Sequence, residues 1–463
     1  MSQPANDRWG DSLPRKLGLL SAIAVVAGST IGSGIFRNPA VIASRIDTLP
    51  LFALGWLLGG VIALAGALAF AELAATFPRT GGVYIYIREG FGRAPAFLFG
   101  WAELILIRPA ALGAVSIVSA EYFWRLMGRD GALPFLGPLS YAQATAIVFI
   151  ILIGAVNYRG VQLGALIQNT SAALKIGALA ILVLLGLVLS PRPDATLPAV
   201  AEPLVRGGWA TASAFGLAMI SILWAYDGFA DLGFVGGEVK NPERNLASAI
   251  IVGTIVVVVV YLLVNVVYLK LVGLPRMPNS TLVAADAAQA VMGTVGRTFV
   301  SAAVMISTFG TLNGSTMTGP RVFFAMAEDR VFFRKLAEVH PKYGTPATAI
   351  VLAAALGVFF VSYKDFANLA DQFIIGIWPF YALAVAALFI LRRKRPDLER
   401  PYRTFGYPLT PALFLLAALF LLGNYAVSDF KTFRWNVLVI LAGLPIYWAW
   451  GWYQKRSGSK GLD

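Results

Sequence analysis

Few residues in this sequence could make or break a covalent bond. Cysteine is absent and there is one histidine, His340, so thiolate chemistry and disulfides are excluded. No metal-ligand cluster, Ser-His-Asp order or cofactor-binding loop appears, so no catalytic residue, metal or cofactor is expected. What remains is the chemistry of binding, carried by two apolar stretches interrupted by glycine. The first runs through Gly28-Ser29-Thr30-Ile31-Gly32-Ser33-Gly34, the second through Trp224-Ala225-Tyr226-Asp227-Gly228-Phe229 with Gly233, Gly236 and Gly237 behind it. Each glycine costs a helix interior about 1 kcal/mol relative to alanine, and backbone freed at membrane depth is tolerable only where it lines a cavity or packs on protein. Close helix packing through small residues is the alternative for the first stretch. If both are helix breaks, free N–H groups at the start of one half-helix attract a carboxylate, and carbonyls at the end of another attract an ammonium. A zwitterion carries both groups.

Charges inside apolar stretches are the second signal. Lys175 lies about 15 residues from both Gly160 and Pro191, roughly 20 Å from either end of its helix. An ammonium that deep serves a pathway or is held by a partner, either an acid or backbone carbonyls. Asp227, inside the second break, has three readings: it faces a ligand, caps the following half-helix, or pairs with a cation elsewhere. Glu103 and Arg108 are expected to pair with other helices, and Glu72 closes the second apolar stretch. His340 reads as a solvated loop residue.

The elements that must position these residues are membrane helices. Of 463 residues, 58% are hydrophobic and 13% charged, with mean hydropathy +0.73, so most of the chain belongs in an apolar solvent. Twelve apolar windows of spanning length fall at 17–40, 51–76, 91–126, 142–157, 161–190, 209–236, 246–273, 287–327, 347–363, 369–391, 407–427 and 433–452, the fourth and ninth being short. The net charge of +13 comes from Lys and Arg in short loops, without the basic stripe of a nucleic-acid binder, and most lie on the side of the N-terminus. The positive-inside rule then puts both termini in the cytoplasm. Residues 1–16 are polar and no cleavable signal is expected. The two breaks fall in windows one and six, corresponding positions if windows one to five and six to ten are inverted repeats, although no direct self-similarity is visible. The expected layout is a cytoplasmic tail (1–16), a first five-helix repeat (17–190), a second (209–391), two further helices (406–452) and a cytoplasmic tail (453–463).

These motifs, in order and spacing, resemble the L-type amino-acid transporter family, the light chains of heteromeric exchangers and their bacterial relatives, within the amino acid, polyamine and organocation superfamily. The match runs over most of the chain: Gly32-Ser33-Gly34-Ile35-Phe36, Glu72-Leu73, Pro78 to Tyr84, Trp101-Ala102-Glu103-Leu104, Ile107-Arg108-Pro109, Trp224 to Gly228, Gly237 to Asn245, Phe309 to Ser315, Arg321 to Phe324 and Arg395 to Tyr402. The resemblance implies an all-α membrane protein of twelve transmembrane helices, with the leucine-transporter-type 5+5 inverted repeat plus two C-terminal helices. It implies that Ile31, Gly32, Ser33 and Gly34 hold a substrate α-carboxylate and that Trp224, Ala225, Tyr226 and Asp227 serve the amino and side-chain end. Lys175 matches the family lysine that stands in place of a sodium ion. The implied activity is sodium-independent exchange of amino acids in the plasma membrane, with neutral substrates expected.

Two departures bear on that expectation. Without cysteine the chain has no disulfide-linked heavy chain, which favours a bacterial type. Phe229 and Ala230 replace the family's Trp and a polar residue, so the side-chain pocket differs. Asp227 occurs in relatives for neutral and for cationic amino acids and leaves charge preference open. A polyamine or cationic amino-acid transporter of the same fold is the nearest alternative, and a non-transporting sensor is a further one.

Overall fold

The computed structural model describes residues 13–189, 207–280 and 282–456. The expected tails outside these bounds, 1–12 and 457–463, and residue 190 at the end of the expected first repeat, lie outside the described residues. The first apolar window forms α1 (Leu19–Thr30) and α2 (Gly34–Ala43), with residues 31–33 non-helical between them, and the second forms α3 (Leu49–Thr76). After α4 (Val83–Phe91), the third window is α5 (Arg93–Ala102), a π-turn (Glu103–Ile107) and α6 (Arg108–Leu126) in one continuous rod. A two-strand hairpin, Pro134–Leu136 with Leu139–Ser140, leads into α7 (Tyr141–Tyr158) and α8 (Val161–Val188). Ser140 and Gln143 close the start of α7 with a capping box, each side chain taking the other's orphan backbone N–H.

The sixth window stops early. Helix α9 (Trp209–Tyr226) ends, four residues run as a turn, and α10 (Asp231–Phe234) is a single turn. Helices α11 (Pro242–Leu271), α12 (Val283–Thr318), α13 (Pro320–Glu328), α14 (Ala347–Val361), α15 (Phe366–Lys394), α16 (Leu409–Ser428), α17 (Phe430–Leu441) and α18 (Gly443–Arg456) complete the chain. Proline stands in the first turn of α3 and α11, where its missing N–H would have no partner anyway.

Eleven stretches among the described residues are long and apolar enough to cross a membrane, against the twelve expected. The exception is α14, whose 15 residues reach about 22 Å, less than a bilayer core of about 30 Å. This is the ninth window, and it ends where Ser362 and the charged Lys364 follow.

Around the first break, α1 packs on α8, α11 and α12, while α2 packs on α9. Three buried glutamates are paired with arginines. Glu238, behind the second break, takes Arg321 of α13 at 2.8 Å, and its backbone carbonyl accepts the N–H groups of Lys16 and Leu17. Glu72 accepts two bonds from Arg392, at 2.9 and 2.6 Å, tying α3 to the end of α15. Arg108 reaches another helix through the Ser315 carbonyl of α12, while Glu103 and Arg108 pair with each other. The intervening π-turn is the reason, because its i→i+5 bonding brings residues five apart to one face. His340 is half-buried in a turn, its Nδ1 accepting the N–H of Lys342 at 3.2 Å and its ring stacked on Tyr343 at 4.6 Å.

Candidate functional site

The two breaks touch each other. A Cβ on Gly34, the first residue of α2, would lie 2.5 Å from Cα of Ala225 near the end of α9; one on Gly228, the turn of the second break, would lie 2.7 Å from the backbone N of Thr30. Gly228 also has φ +128°, open to glycine and strained for other residues. Each break therefore needs a glycine for close approach to the other, and together they bring four half-helix ends to one point.

The end of α1 is already occupied by protein groups. The Lys175 ammonium donates to the carbonyls of Gly28 (2.8 Å), Ile31 (2.6 Å) and Ser307 (3.0 Å) and to Oγ1 of Thr311 (3.2 Å). The Tyr261 hydroxyl takes the Thr30 carbonyl at 2.9 Å, and Ser307 Oγ also reaches Ile31 at 3.0 Å. Lys175 is 1% exposed and has no acidic partner among the described residues. Its charge is met by carbonyl dipoles at a helix C-terminus, where a cation is favoured.

The start of α2 is open. The first N–H groups of a helix have no intrahelical acceptor, and the Ser33 hydroxyl beside them is buried without a partner. A cavity forms over this end, lined from the first break by Ser29, Thr30, Gly32, Ser33 and Gly34 and from the second by Trp224, Asp227 and Gly228. The Trp224 ring meets Phe373 edge-on at 5.1 Å, closing one side.

Not every expected residue reaches the cavity wall. The Ile31 side chain is wholly buried in the core, and Ala225 is spent on the contact with Gly34. Tyr226 turns away, its hydroxyl donating to the Trp56 carbonyl at 3.2 Å. Lys175 lies behind the wall. Asp227 neither pairs with a cation nor caps α10, whose N-cap position is Ala230 without a side-chain cap; its Oδ1 is buried and unpartnered.

Other lining residues escape sequence reasoning: Arg108, Ala111 and Val115 of α6, Asp231 of α10, Thr311 and Ser315 of α12, and Phe373 of α15. Arg108 carried a signal as a charge in an apolar span. Asp231 carried one too, as a second acid four residues beyond Asp227, but its single-turn helix is not readable from periodicity. Arg108 is held by Glu103 at 2.7 Å through Nε and by the Ser315 carbonyl at 3.3 Å through Nη1.

Residues 17–446 match the family model described as amino acid permease. The chain belongs to the amino acid permease family. It is 33% identical over 457 residues to the serine/threonine exchanger SteT of Bacillus subtilis (strain 168), covering 97% of this chain and 99% of that one. It is 32% identical over 453 residues to the human b(0,+)-type amino acid transporter 1, covering 96% and 91%, and 29% identical over 445 residues to the human cystine/glutamate transporter, covering 96% and 87%. Membership in this permease family gives an integral membrane protein of the amino-acid transporter class, within the superfamily to which the L-type light chains belong, and the named relatives are transporters rather than enzymes.

Proposed function

We propose that this permease is a sodium-independent exchanger of amino acids in a bacterial plasma membrane, holding the substrate zwitterion at the crossing of its two helix breaks. The observation that carries the reading is the asymmetry of that crossing: the α1 carbonyls are filled by Lys175 and Tyr261, while the start of α2 at Ser33 and Gly34 is unfilled and faces the cavity. A carboxylate there gains helix-terminus stabilisation of about 0.3–1 kcal/mol, up to about 2 in a partly buried geometry. The end of α9, which reaches the cavity at Trp224 and Asp227, is the electronegative end of its helix and suits the α-ammonium.

Lys175 accounts for independence from sodium. Its ammonium occupies a cage of four oxygens at 2.6–3.2 Å, the place a small cation would take. Transport follows if the two five-helix repeats rock about the crossing. The exchange activity named for the Bacillus subtilis relative supports coupling of one amino acid to another. The basic loops support cytoplasmic termini, and a chain without cysteine forms no disulfide with a heavy chain.

Uptake into proteoliposomes tests the reading. Labelled amino acid should enter only vesicles preloaded with amino acid, equally with and without a sodium gradient, and decarboxylated amines should not compete. Strong sodium dependence would remove the role of Lys175, and equal competition by amines would favour a polyamine transporter.

A further inference from the structure

The ionisable groups on the cavity wall are unevenly matched. Among the described lining residues three are ionisable: Asp227, Asp231 and Arg108. Arg108 is already spent on Glu103, which it meets through two nitrogens, and on the Ser315 carbonyl. Asp231 feels Arg108 and faces Ser29, yet neither it nor Asp227 forms an ion pair. Asp231 is 8% exposed, so its carboxyl group sits in a low-dielectric wall with no cation paired to it among the described residues. A carboxylate buried there without a partner costs several kcal/mol, and a ligand cation placed beside it offsets that cost. The unpartnered Ser33 hydroxyl and Asp227 Oδ1 on the same wall mark this as space for a polar ligand.

Geometry separates the two ends of that ligand. The α-carboxylate and α-ammonium are met at the start of α2 and the end of α9. Asp231 lies beyond the Gly228 turn, on α10, and lines the same cavity as Arg108, Ala111 and Val115 of α6. We propose that Asp231, flanked by Asp227, is the specificity residue for a second ammonium, so that the exchanger prefers amino acids whose side chain is cationic. This deepens the amino-acid reading and rests on it.

The test compares cationic amino acids with neutral ones of equal length: ornithine with norleucine, and 2,4-diaminobutyrate with norvaline. Each competes with labelled amino acid in preloaded proteoliposomes carrying the full chain. The expected result is at least tenfold stronger competition by the cationic member of one or both pairs, lost in Asp231→Asn and kept in Asp231→Glu. The same preference should appear without transport, as a larger rise in the melting temperature of the detergent-solubilised wild-type protein with ornithine than with norleucine. Exchange with no cationic preference in the wild type overturns the proposal and leaves the exchanger reading intact. A preference unchanged in Asp231→Asn overturns the assignment to Asp231. Absence of any amino-acid exchange or binding overturns both.

Discussion

The ammonium of Lys175 lies 2.6 Å from the carbonyl oxygen of Ile31 and 2.8 Å from that of Gly28. One charge from α8 thus satisfies carbonyls that the end of α1 would otherwise leave open. Charge-assisted bonds of this kind contribute about 1.5–3 kcal/mol each. Lys175→Ala should therefore lower the melting temperature of the purified protein and reduce exchange at least tenfold. A variant exchanging at the wild-type rate would show that the lysine is incidental.

Gly34 is a second point of control. A methyl group there meets backbone and Cβ of Ala225 at 2.5 and 2.7 Å, and backbone cannot move aside as a flexible side chain can. Overpacking of this sort costs about 1–3 kcal/mol. Gly34→Ala should melt several degrees lower and lose exchange. Gly177→Ala, with no atom within 4 Å of its added methyl, should melt at or above the wild-type temperature, since alanine is favoured by about 1 kcal/mol in a helix.

Arg108 and Glu103 form a pair of which both members are almost fully buried. Removing one partner leaves the other charge without compensation, at a cost of about 3–5 kcal/mol. Arg108→Met should be poorly folded in detergent. The double variant Arg108→Met with Glu103→Gln should recover much of the lost stability; a double variant as unstable as the single one would mean that Arg108 acts mainly through its packing and its bond to Ser315.

Tyr261 acts on the site from outside the cavity. Its hydroxyl holds the Thr30 carbonyl at the last residue of α1, and Tyr261→Phe removes that bond alone, worth about 1 kcal/mol. The ratio kcat/KM for exchange should fall about fivefold, with little change in melting temperature. An unchanged ratio would place the break's geometry under the control of Lys175 and Ser307 only.

Much of this protein is visible in one dimension. The apolar windows, the glycines of the two breaks and the deep lysine follow from composition and spacing, because lipid forces backbone into helices and makes any exception stand out. The reading of twelve spans differs from the eleven found because a 15-residue apolar helix and a spanning one share a composition and differ only in where the polar residues begin. Gly32, Ser33, Gly34, Trp224 and Asp227 reach the cavity; Ile31, Ala225 and Tyr226 stand in the same motifs but turn into the core, since successive side chains face different ways, in the helix at Ala225 and Tyr226 and in the non-helical link at Ile31.

The sequence by itself determined that this chain lives in a membrane, that two of its helices break, and that Lys175 needs oxygen partners. Tertiary structure alone decided that the breaks cross in contact, that Lys175 finds carbonyls rather than an acid, and that Arg108 pairs with Glu103 while Asp231 forms no ion pair among the described residues. The reason is range. Hydrophobicity and helix breaking are local properties of neighbouring residues, whereas the balance of charge in a cavity depends on which distant helices face each other across it.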